Sequence, residues 1–277
     1  MRDNMSKLNE LVLDIVVPLY NDCDVLSALC KTVFSEIGGK FKSFRLILID
    51  DGSIDSTFEI AMEMRGEYDN LEVIRLAGNF GQHRAILAGL RSTNADIVAV
   101  MDSDLQDRPE HILLMVEKML EDDTPMAIAR RGRRNDSLWK KIGSRTFATL
   151  SNILVPFKVD PHLGAFRVLR KNVVKQICDV KEHTGTPFSM LYSLNIPYSV
   201  VDLDRDARIA GKSGYNLRKS MKLASDRILT YSIKPIRLSI FLGILFGLFS
   251  IGIAGYSIIN YGLQDEVAPG WTSLAFV

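Results

Sequence analysis

Short apolar runs alternate with segments of helical periodicity along most of the chain. The runs are rich in Val, Ile and Leu, which is typical of strands buried on both faces. The segments between them carry apolar residues at three- and four-residue spacing, which predicts amphipathic helices. The predicted strands cover residues 12–19, 44–49, 71–76, 97–101, 126–129 and 165–169, and the predicted helices cover 22–37, 55–64, 82–91 and 109–120. This alternation predicts an α/β fold with a mostly parallel sheet flanked by helices.

The pattern changes near the C-terminus. No charged residue occurs from Leu238 to Gln264, and this segment exceeds the roughly 20 residues that a helix needs to cross a bilayer. Lys234 and Arg237 lie just before it, so the positive-inside rule predicts that the preceding part of the chain is cytoplasmic. Residues 215–233 read as one or two basic amphipathic helices that rest on the membrane surface or, alternatively, face the core of the soluble part.

Composition and cysteine usage agree with a folded cytoplasmic body. Of 277 residues, 47% are hydrophobic and 24% are charged, as in ordinary globular proteins. The net charge of +1 gives no reason to expect a nucleic-acid partner. The three cysteines have no metal-type spacing, which favours reduced thiols. The charged N-terminus has no apolar signal segment.

Two carboxylates follow the predicted strand at 97–101. Asp102 and Asp104 are spaced i and i+2, so they can point the same way where the chain leaves the sheet. Ligands of open α/β sheets bind at the carboxyl ends of the strands. Paired carboxylate oxygens suit Mg²⁺ or Mn²⁺, whose usual partner is a phosphate. A solvated turn rich in Asp is the alternative reading.

Polar residues also follow the first two predicted strands. Pro18-Leu19-Tyr20-Asn21 ends the first, and Asp50-Asp51-Gly52-Ser53 ends the second. In a parallel sheet these ends share one edge, where a carboxylate can accept the imide N–H of a uracil-like base or a ribose hydroxyl, and Gly52 allows a close backbone approach. The loop at 79–84, which includes Asn79, leads into a helix whose N-terminus favours anions. Turn chemistry alone is the alternative for each motif.

The order of these motifs resembles the GT-A family 2 glycosyltransferases, and within them the polyprenyl-phosphate glycosyltransferases similar to dolichol-phosphate mannose synthase and bactoprenol glucosyltransferase. The motifs are V-P-L-Y-N-D, D-D-G-S-I-D-S-T, N-F-G-Q-H-R-A-I-L-A-G, M-D-S-D-L-Q-D-R-P-E, G-A-F-R-V-L-R and R-I-A-G-K-S-G-Y-N-L-R-K. Asp22 stands where the family often has Glu. The resemblance implies a GT-A fold, Rossmann-like, with juxtamembrane amphipathic helices and a C-terminal transmembrane helix.

The resemblance also implies an activity. Such enzymes move a hexose from a nucleotide diphosphate sugar to a polyprenyl phosphate such as undecaprenyl phosphate, with inversion, a divalent cation and a membrane anchor. UDP, for example in UDP-glucose, is the favoured nucleotide, and GDP is the alternative. The expected location is the inner, cytoplasmic membrane with the catalytic domain on the cytoplasmic side. The oligomeric state stays open, and a homo-oligomer is one arrangement compatible with a single anchor.

Site residues follow from the same resemblance. Asp102 and Asp104 are expected to hold the metal, with Asp104 and Arg208 in catalysis at the diphosphate. The residues expected to contact the nucleotide sugar or its diphosphate are Pro18, Tyr20, Asn21, Asp50, Asp51, Gly52, Asn79, Asp102, Ser103, Gln106 and Ser213. Asp160, just ahead of the G-A-F-R stretch, is the candidate base or acceptor-orienting carboxylate; a turn Asp before proline is the alternative.

The acceptor needs charge compensation more than a base. A phosphomonoester has a second pKa near 6 and is mostly a dianion at neutral pH, so bringing it to a diphosphate requires cations. A basic stretch follows the strand at 126–129, and within it Arg133 and Arg145 are the candidate ligands of the lipid phosphate. A solvated basic surface attracted to anionic lipid is the alternative.

Four parts are expected along the chain. Residues 1–212 form the cytoplasmic GT-A catalytic domain, 213–235 the juxtamembrane helices, 236–264 the transmembrane helix, and 265–277 the start of a second, truncated membrane segment. Two other functions remain as alternatives. A processive polysaccharide synthase would add a Gln-x-x-Arg-Trp helix, and the sequence contains no such pentad. A catalytically silent membrane scaffold that binds nucleotide sugars is the other.

Overall fold

The computed structural model describes residues 7–131, 163–180, 194–203 and 234–263, together with residues 188, 191, 192 and 232. Within these residues seven strands form one sheet. The strands are β1 (Val12–Leu19), β2 (Ser43–Asp50), β3 (Leu71–Arg75), β4 (Ile97–Val100), β5 (Met126–Arg131), β6 (Leu163–Arg170) and β7 (Ser199–Leu203). The helices are α1 (Cys23–Ile37), α2 (Thr57–Glu67), α3 (Gln82–Ser92), α4 (His111–Glu121), α5 (Lys171–Asp179) and α6 (Lys234–Leu263).

The strand order is β3-β2-β1-β4-β6-β5-β7. Strand β6 is antiparallel to both of its neighbours, β4 and β5. The other pairings are parallel. The carboxyl ends of β1, β2, β4, β5 and β7 therefore lie along one edge of the sheet. The predicted α/β fold with a mostly parallel sheet is confirmed, and this edge is where its ligands are expected.

Two apolar layers cover the sheet. On one face α1 and α4 pack through buried residues at helical spacing, such as Leu26, Leu29 and Val33 of α1. On the other face α3 and α5 pack against Val98, Val100 and Leu169. Because the strands are covered on both faces, their sequences read as continuous apolar runs.

Helix α3 lies close to the sheet because small residues face it. Ala85 is fully buried. A Cβ atom built on Gly89 would overlap the side chain of Val16 on β1. Small residues at these two positions therefore let the helix pack closely against the sheet.

The opposite edge of the sheet carries an ion pair that has a structural task. The buried carboxylate of Asp14 accepts two hydrogen bonds from the guanidinium of Arg45, at 3.1 and 2.8 Å. Arg45 also bonds Glu72 on the next strand, at 2.6 Å. These charges are matched to one another, which explains how Asp14 is tolerated inside the sheet.

Helix α6 is long and apolar. Its segment Ile236–Ile259, 24 residues, is long and apolar enough to cross a membrane, and within the described residues it is the one helix that meets this test. At 1.5 Å per residue it spans about 36 Å, against a hydrocarbon core of about 30 Å. Its apolar side chains, Phe241, Phe246 and Phe249 among them, are exposed in the isolated chain. The predicted juxtamembrane helices at 213–235 lie almost entirely outside the described residues.

Candidate active site

The first polar group at the carboxyl edge of the sheet follows β1. Pro18 has no N–H to donate, and the pairing of β1 with β4 ends two residues earlier, where Val16 lies opposite Val100. A proline therefore fits at this position without loss of a ladder bond. Tyr20 comes next, with its side chain exposed at the edge. An exposed aromatic ring beside a polar edge is available to a flat ligand.

Asn21 joins the end of β1 to the loop after β2. It has a φ of 55°, in the left-handed region that Asn tolerates better than most residues. Its backbone N–H donates to Oγ of Ser53 at 3.0 Å, and its side-chain oxygen accepts the N–H of Ile54 at 3.0 Å. The two loops therefore form one wall of the site.

Asp50 is a fully buried carboxylate at the last position of β2. Its Oδ1 accepts the N–H of Ser53 at 3.0 Å. Its Oδ2 lies 3.2 Å from Nε of Arg75, the residue opposite it on β3, but makes no hydrogen bond of good direction among the described residues. The guanidinium of Arg75 also lies 4.3 Å above the ring of Phe58. Arg75 therefore balances the buried charge from the solvent side.

Asp51 holds the loop that precedes α3. Its two carboxylate oxygens accept the N–H groups of Phe80 and Gly81, each at 2.8 Å. Gly52 has a φ of 71°, and a Cβ atom there would lie 2.6 Å from the carbonyl carbon of Gly78 and 2.8 Å from the backbone nitrogen of Asn79. In this structure Gly52 therefore permits the close approach of the loop at Gly78 and Asn79. Ligand binding by Asp51, Gly52 and Asn79 stays a prediction.

The loop after β4 carries the predicted metal ligands. Asp102 accepts a hydrogen bond on Oδ1 from Nε2 of Gln82 at 2.7 Å. Asp104 accepts the backbone N–H of Gln106 on its Oδ1 at 3.2 Å. Leu105, which follows Asp104, has a φ of 54°. This backbone conformation is unusual for a leucine and stores strain at a loop with a candidate function. Metal binding by the two carboxylates stays a prediction.

Asp22 lies at the same place, at the N-terminus of α1. It occupies the N-cap position but makes no capping hydrogen bond with its side chain. Its Oδ2 accepts instead the N–H of Tyr20 at 3.0 Å and the hydroxyl of Ser103 at 2.8 Å. The contact with Ser103 directs this carboxylate toward the loop after β4 and away from the first turn of α1.

The surroundings of Asp22 change its pKa. Burial raises the pKa of Asp22, and the charges of Asp104 and Asp55 raise it further, against the hydrogen bonds from Tyr20 and Ser103, which lower it. Burial is thus the largest influence on the pKa of Asp22, and the two neighbouring carboxylates contribute least.

A half-buried histidine, His83, lies at the start of α3. Burial and the nearby positive charge of Arg167 lower the pKa of His83 to about 4, so the ring is neutral at physiological pH. Arg167, on β6 of the G-A-F-R stretch, stacks on the ring of Phe188 at 3.5 Å and donates to the carbonyls of Gly164 and Ala165. Arg167 lies opposite Val100, the last residue of β4, which the loop with Asp102 follows.

Five predicted site residues lie outside the part of the chain that the structure describes. They are Arg133, Arg145, Asp160, Arg208 and Ser213. The start of the basic stretch is described: Arg130, at the end of β5, forms a two-point ion pair with Asp202 on β7, at 2.6 and 2.9 Å. Arg130 and Asp202 therefore balance each other's charge on this side of the carboxyl edge, whereas the loops after β1 and β4 carry the carboxylates of Asp22, Asp102 and Asp104.

Sequence reasoning missed three residues of this site: Asp22, Arg75 and Gln82. Arg75 could have been found, because it ends the strand next to β2 and so lies level with Asp50. The hydrogen bonds of Asp22 and Gln82 depend on tertiary contacts that no local pattern encodes. Together the loops offer carboxylates for a cation, an aromatic ring, and backbone turns at one sheet edge, which is suited to a nucleotide and its phosphates.

Comparison with known proteins shows which sequences this chain resembles. The model of the family described as Glycosyl transferase family 2 matches residues 14–178. The chain is 29% identical to the uncharacterized glycosyltransferase YkcC of Bacillus subtilis (strain 168) over 265 residues, covering 95% of the chain and 81% of that protein. It is 30% identical to the undecaprenyl-phosphate 4-deoxy-4-formamido-L-arabinose transferase of Shewanella sediminis (strain HAW-EB3) over 247 residues, covering 86% and 74%.

Solved structures share the fold at low sequence identity. Glucosyl-3-phosphoglycerate synthase from Mycobacterium tuberculosis, crystallised with Mg²⁺ and uridine diphosphate, matches with a TM-score of 0.57 and 15% identity, over 81% of this chain and 79% of that one. Mannosyl-3-phosphoglycerate synthase from Rubrobacter xylanophilus matches with a TM-score of 0.56 and 16% identity, over 81% and 73%.

Proposed function

The chain belongs to glycosyl transferase family 2, and from this premise we propose that it transfers a hexose from a nucleotide diphosphate sugar to a polyprenyl phosphate at a membrane surface. The observation that carries the proposal is the meeting of three polar loops, after β1, β2 and β4, at one edge of the sheet. Hydrogen bonds tie these loops together, from Asn21 to Ser53 and from Ser103 to Asp22.

The donor is proposed to bind across these loops. Tyr20 offers an exposed ring for the base, and the buried Asp50 is the candidate for an imide N–H. Nε of the half-exposed Arg75 lies 3.2 Å from Oδ2 of Asp50, and in this proposal Arg75 moves aside when the base binds. The predicted roles of Pro18, Asn21 and Ser103 in the same pocket are part of this proposal. We favour UDP over GDP as the nucleotide.

The donor set near β4 fits a hard divalent cation. Among the residues that the structure describes, no cluster of three or more His, Cys, Asp or Glu side chains could hold a metal ion alone. Mg²⁺ and Mn²⁺ are commonly held by one or two carboxylates together with substrate phosphates, and Asp102 and Asp104 match that mode. When bound, such an ion would neutralise charge that develops on the leaving diphosphate.

The transfer itself needs little from a base. A phosphate oxygen of the acceptor forms a bond to the anomeric carbon while the bond from that carbon to the diphosphate oxygen breaks, and the diphosphate leaves with the electron pair. Inversion follows from attack opposite the leaving group. The proposed tasks of the chain are to orient both anions and to balance their charge, with Arg133 and Arg145 on the acceptor, Arg208 and Ser213 at the diphosphate, and Asp160 orienting the acceptor.

The choice of acceptor rests on the relatives and on α6. A curated relative named for undecaprenyl phosphate covers most of the chain, and Ile236–Ile259 is long enough to anchor the protein beside such a lipid. Lys234 precedes that segment and Arg237 is its second residue, so we propose that residues 1–212 work on the cytoplasmic side. In this proposal residues 213–235 rest on the membrane, residues 236–264 span it, and 265–277 begin a second segment.

The test uses the whole chain in membranes. We would incubate it with undecaprenyl phosphate, Mn²⁺ and a panel of UDP and GDP sugars, and detect lipid products by mass spectrometry together with the released nucleotide. We expect one donor to give a glycosylated lipid phosphate and an equal amount of nucleoside diphosphate. Donor hydrolysis without a lipid product would contradict the acceptor, and no reaction with any donor would contradict the transferase.

Matched variants make the test specific. Asp102→Asn should abolish the product, whereas Asp69→Asn should leave it unchanged, because Asp69 precedes β3 at the opposite edge of the sheet and is exposed. Equal losses in both variants would indicate a general effect of removing a charge. A silent nucleotide-sugar scaffold would bind the donor yet give no product in the wild-type chain.

A further inference from the structure

Helix α3 reaches the predicted metal loop through its first residue. Nε2 of Gln82 donates a hydrogen bond to Oδ1 of Asp102 at 2.7 Å, although the two residues are 20 positions apart. A carboxylate that accepts a directed N–H at this distance is restricted in rotation about its side-chain bonds. The direction in which Asp102 presents its charge therefore depends on where Gln82 stands.

The loop that leads into Gln82 is held by hydrogen bonds to Asp51. The two N–H groups just before it, of Phe80 and Gly81, both donate to the buried carboxylate of Asp51. The loop also lies directly on the backbone of Gly52, where no Cβ would fit. Both carboxylate oxygens of Asp51 thus accept hydrogen bonds from the loop, and these bonds fix the position of Gln82.

The body of α3 leaves little freedom either. Gly89, seven residues after Gln82, lies against Val16 and Ile49 without room for a side chain. Together the loop and the helix form a rigid support, which is the type of element that holds a ligand to within a fraction of an ångström. A continuous series of contacts therefore leads from Asp51 through the loop and Gln82 to Asp102.

We propose that Gln82 is a positioning residue for Asp102 and that Asp51 acts through it, so that both set the affinity of the site for a divalent cation. This inference rests on the proposed function, because the orientation of Asp102 matters in this way only if it binds the metal of the donor. Carboxylate ligands are commonly held by such outer hydrogen bonds, and their loss typically costs about 10- to 100-fold in metal affinity.

The experiment measures Mn²⁺ binding directly. The full chain in detergent with saturating UDP is titrated with Mn²⁺, and free Mn²⁺ is read by electron paramagnetic resonance. Gln82→Met keeps the length of the side chain and removes the donor, so we expect its Mn²⁺ dissociation constant to rise about tenfold or more. Gln176→Met is the matched control, since Gln176 is exposed on α5, and its constant should equal that of wild type.

Kinetics separate positioning from folding. In Gln82→Met the Mn²⁺ concentration for half-maximal rate should rise by the same factor as the dissociation constant, while kcat at saturating Mn²⁺ returns close to wild type. A residue that only supports α3 would instead lower the thermal midpoint and kcat with an unchanged Mn²⁺ constant. That result would overturn the inference.

Asp51→Asn tests the rest of the series. The single side-chain oxygen of the asparagine cannot accept both loop N–H groups equally, so we expect weaker Mn²⁺ binding. In the double variant with Gln82→Met, the loss of binding free energy should be smaller than the sum of the losses in the two single variants. Full additivity would overturn the coupling. If wild type gave the lipid product but bound Mn²⁺ no better than Gln82→Met, the inference alone would fail; absence of both product and Mn²⁺ binding in wild type would overturn the proposed function with it.

Discussion

The hydroxyl of Ser103 donates a hydrogen bond to the carboxylate of Asp22 at 2.8 Å, across 81 positions of sequence. This contact joins the end of β1 to the loop that carries Asp102 and Asp104. It also places a third carboxylate beside the predicted metal ligands, since the charge of Asp104 raises the pKa of Asp22. The loop after β4 is therefore held from two sides, by Asp22 through Ser103 and by Gln82 through Asp102.

Asp22→Asn should separate stability from cation binding. The amide oxygen can still accept from Tyr20 and Ser103, while the repulsion from Asp104 and the cost of burying a charge disappear, so the thermal midpoint at pH 7 should rise. Mn²⁺ binding should weaken about fivefold, because a neighbouring unit charge is worth on the order of 1 kcal/mol. Thermal unfolding and Mn²⁺ titration measure both effects.

The pH dependence of that gain has a defined sign. The pKa of Asp22 is raised above its ordinary value of 3.8, so its charged form destabilises the fold at neutral pH. The penalty fades as the pH falls through the raised pKa and is absent below about 3.8. The difference in midpoint between Asp22→Asn and wild type should therefore vanish in acid. Asp24→Asn, exposed on α1, is the control, and a gain of equal size there would refute the explanation.

Gly52→Ala should destabilise the protein by roughly 2–5 kcal/mol, because it combines a left-handed backbone with overlap of the loop at Gly78 and Asn79. Gly39→Ala measures the cost of the left-handed backbone alone. Gly39 has the same φ of 71° with no atom near its Cβ position, so its loss should stay near 1–2 kcal/mol. Denaturant unfolding of both variants measures the difference, and equal losses would mean that the loop yields without cost.

His83 should make the fold sensitive to acid. Its pKa falls from 6.5 to about 4 on folding, through burial and the charge of Arg167. Between pH 6.5 and pH 4 the imidazole of His83 is therefore protonated in the unfolded chain but stays neutral in the folded chain. The free energy of unfolding should drop by up to roughly 3 kcal/mol as the pH falls through this range. His83→Gln should flatten this part of the stability curve. An unchanged slope in the variant would contradict a neutral His83 in the folded chain.

The fold could be predicted from sequence where burial alone decides the pattern. β1 has the predicted bounds, because a strand covered on both faces needs an apolar residue at nearly every position. The starts of helices were less certain. α4 begins at His111, two residues after the Pro109 expected in its first turn, since residues 108–111 form a separate turn with a bond from His111 to Arg108. Local turn geometry competes with helix propensity there.

The candidate site shows why the rest could not be predicted. Carboxylates at strand ends were recognised because topology brings such ends together. Their individual tasks depend on contacts across 20 to 81 positions, such as Gln82 with Asp102 and Ser103 with Asp22. The sequence Asp50-Asp51 does not show that Asp51 is the member that accepts hydrogen bonds from the loop before α3. Likewise, the position of Asp22 before α1 does not show that its carboxylate accepts a hydrogen bond from Ser103.

The most direct test of a metal-dependent sugar transfer is the yield of glycosylated lipid phosphate in excess chelator. With the donor found in the panel, we expect the product to disappear in EDTA and to return in full when Mn²⁺ or Mg²⁺ is added beyond the chelator. Asp102→Asn and Asp104→Asn should give no product under either condition. A yield in EDTA equal to that with Mn²⁺ would contradict the proposed role of the two carboxylates.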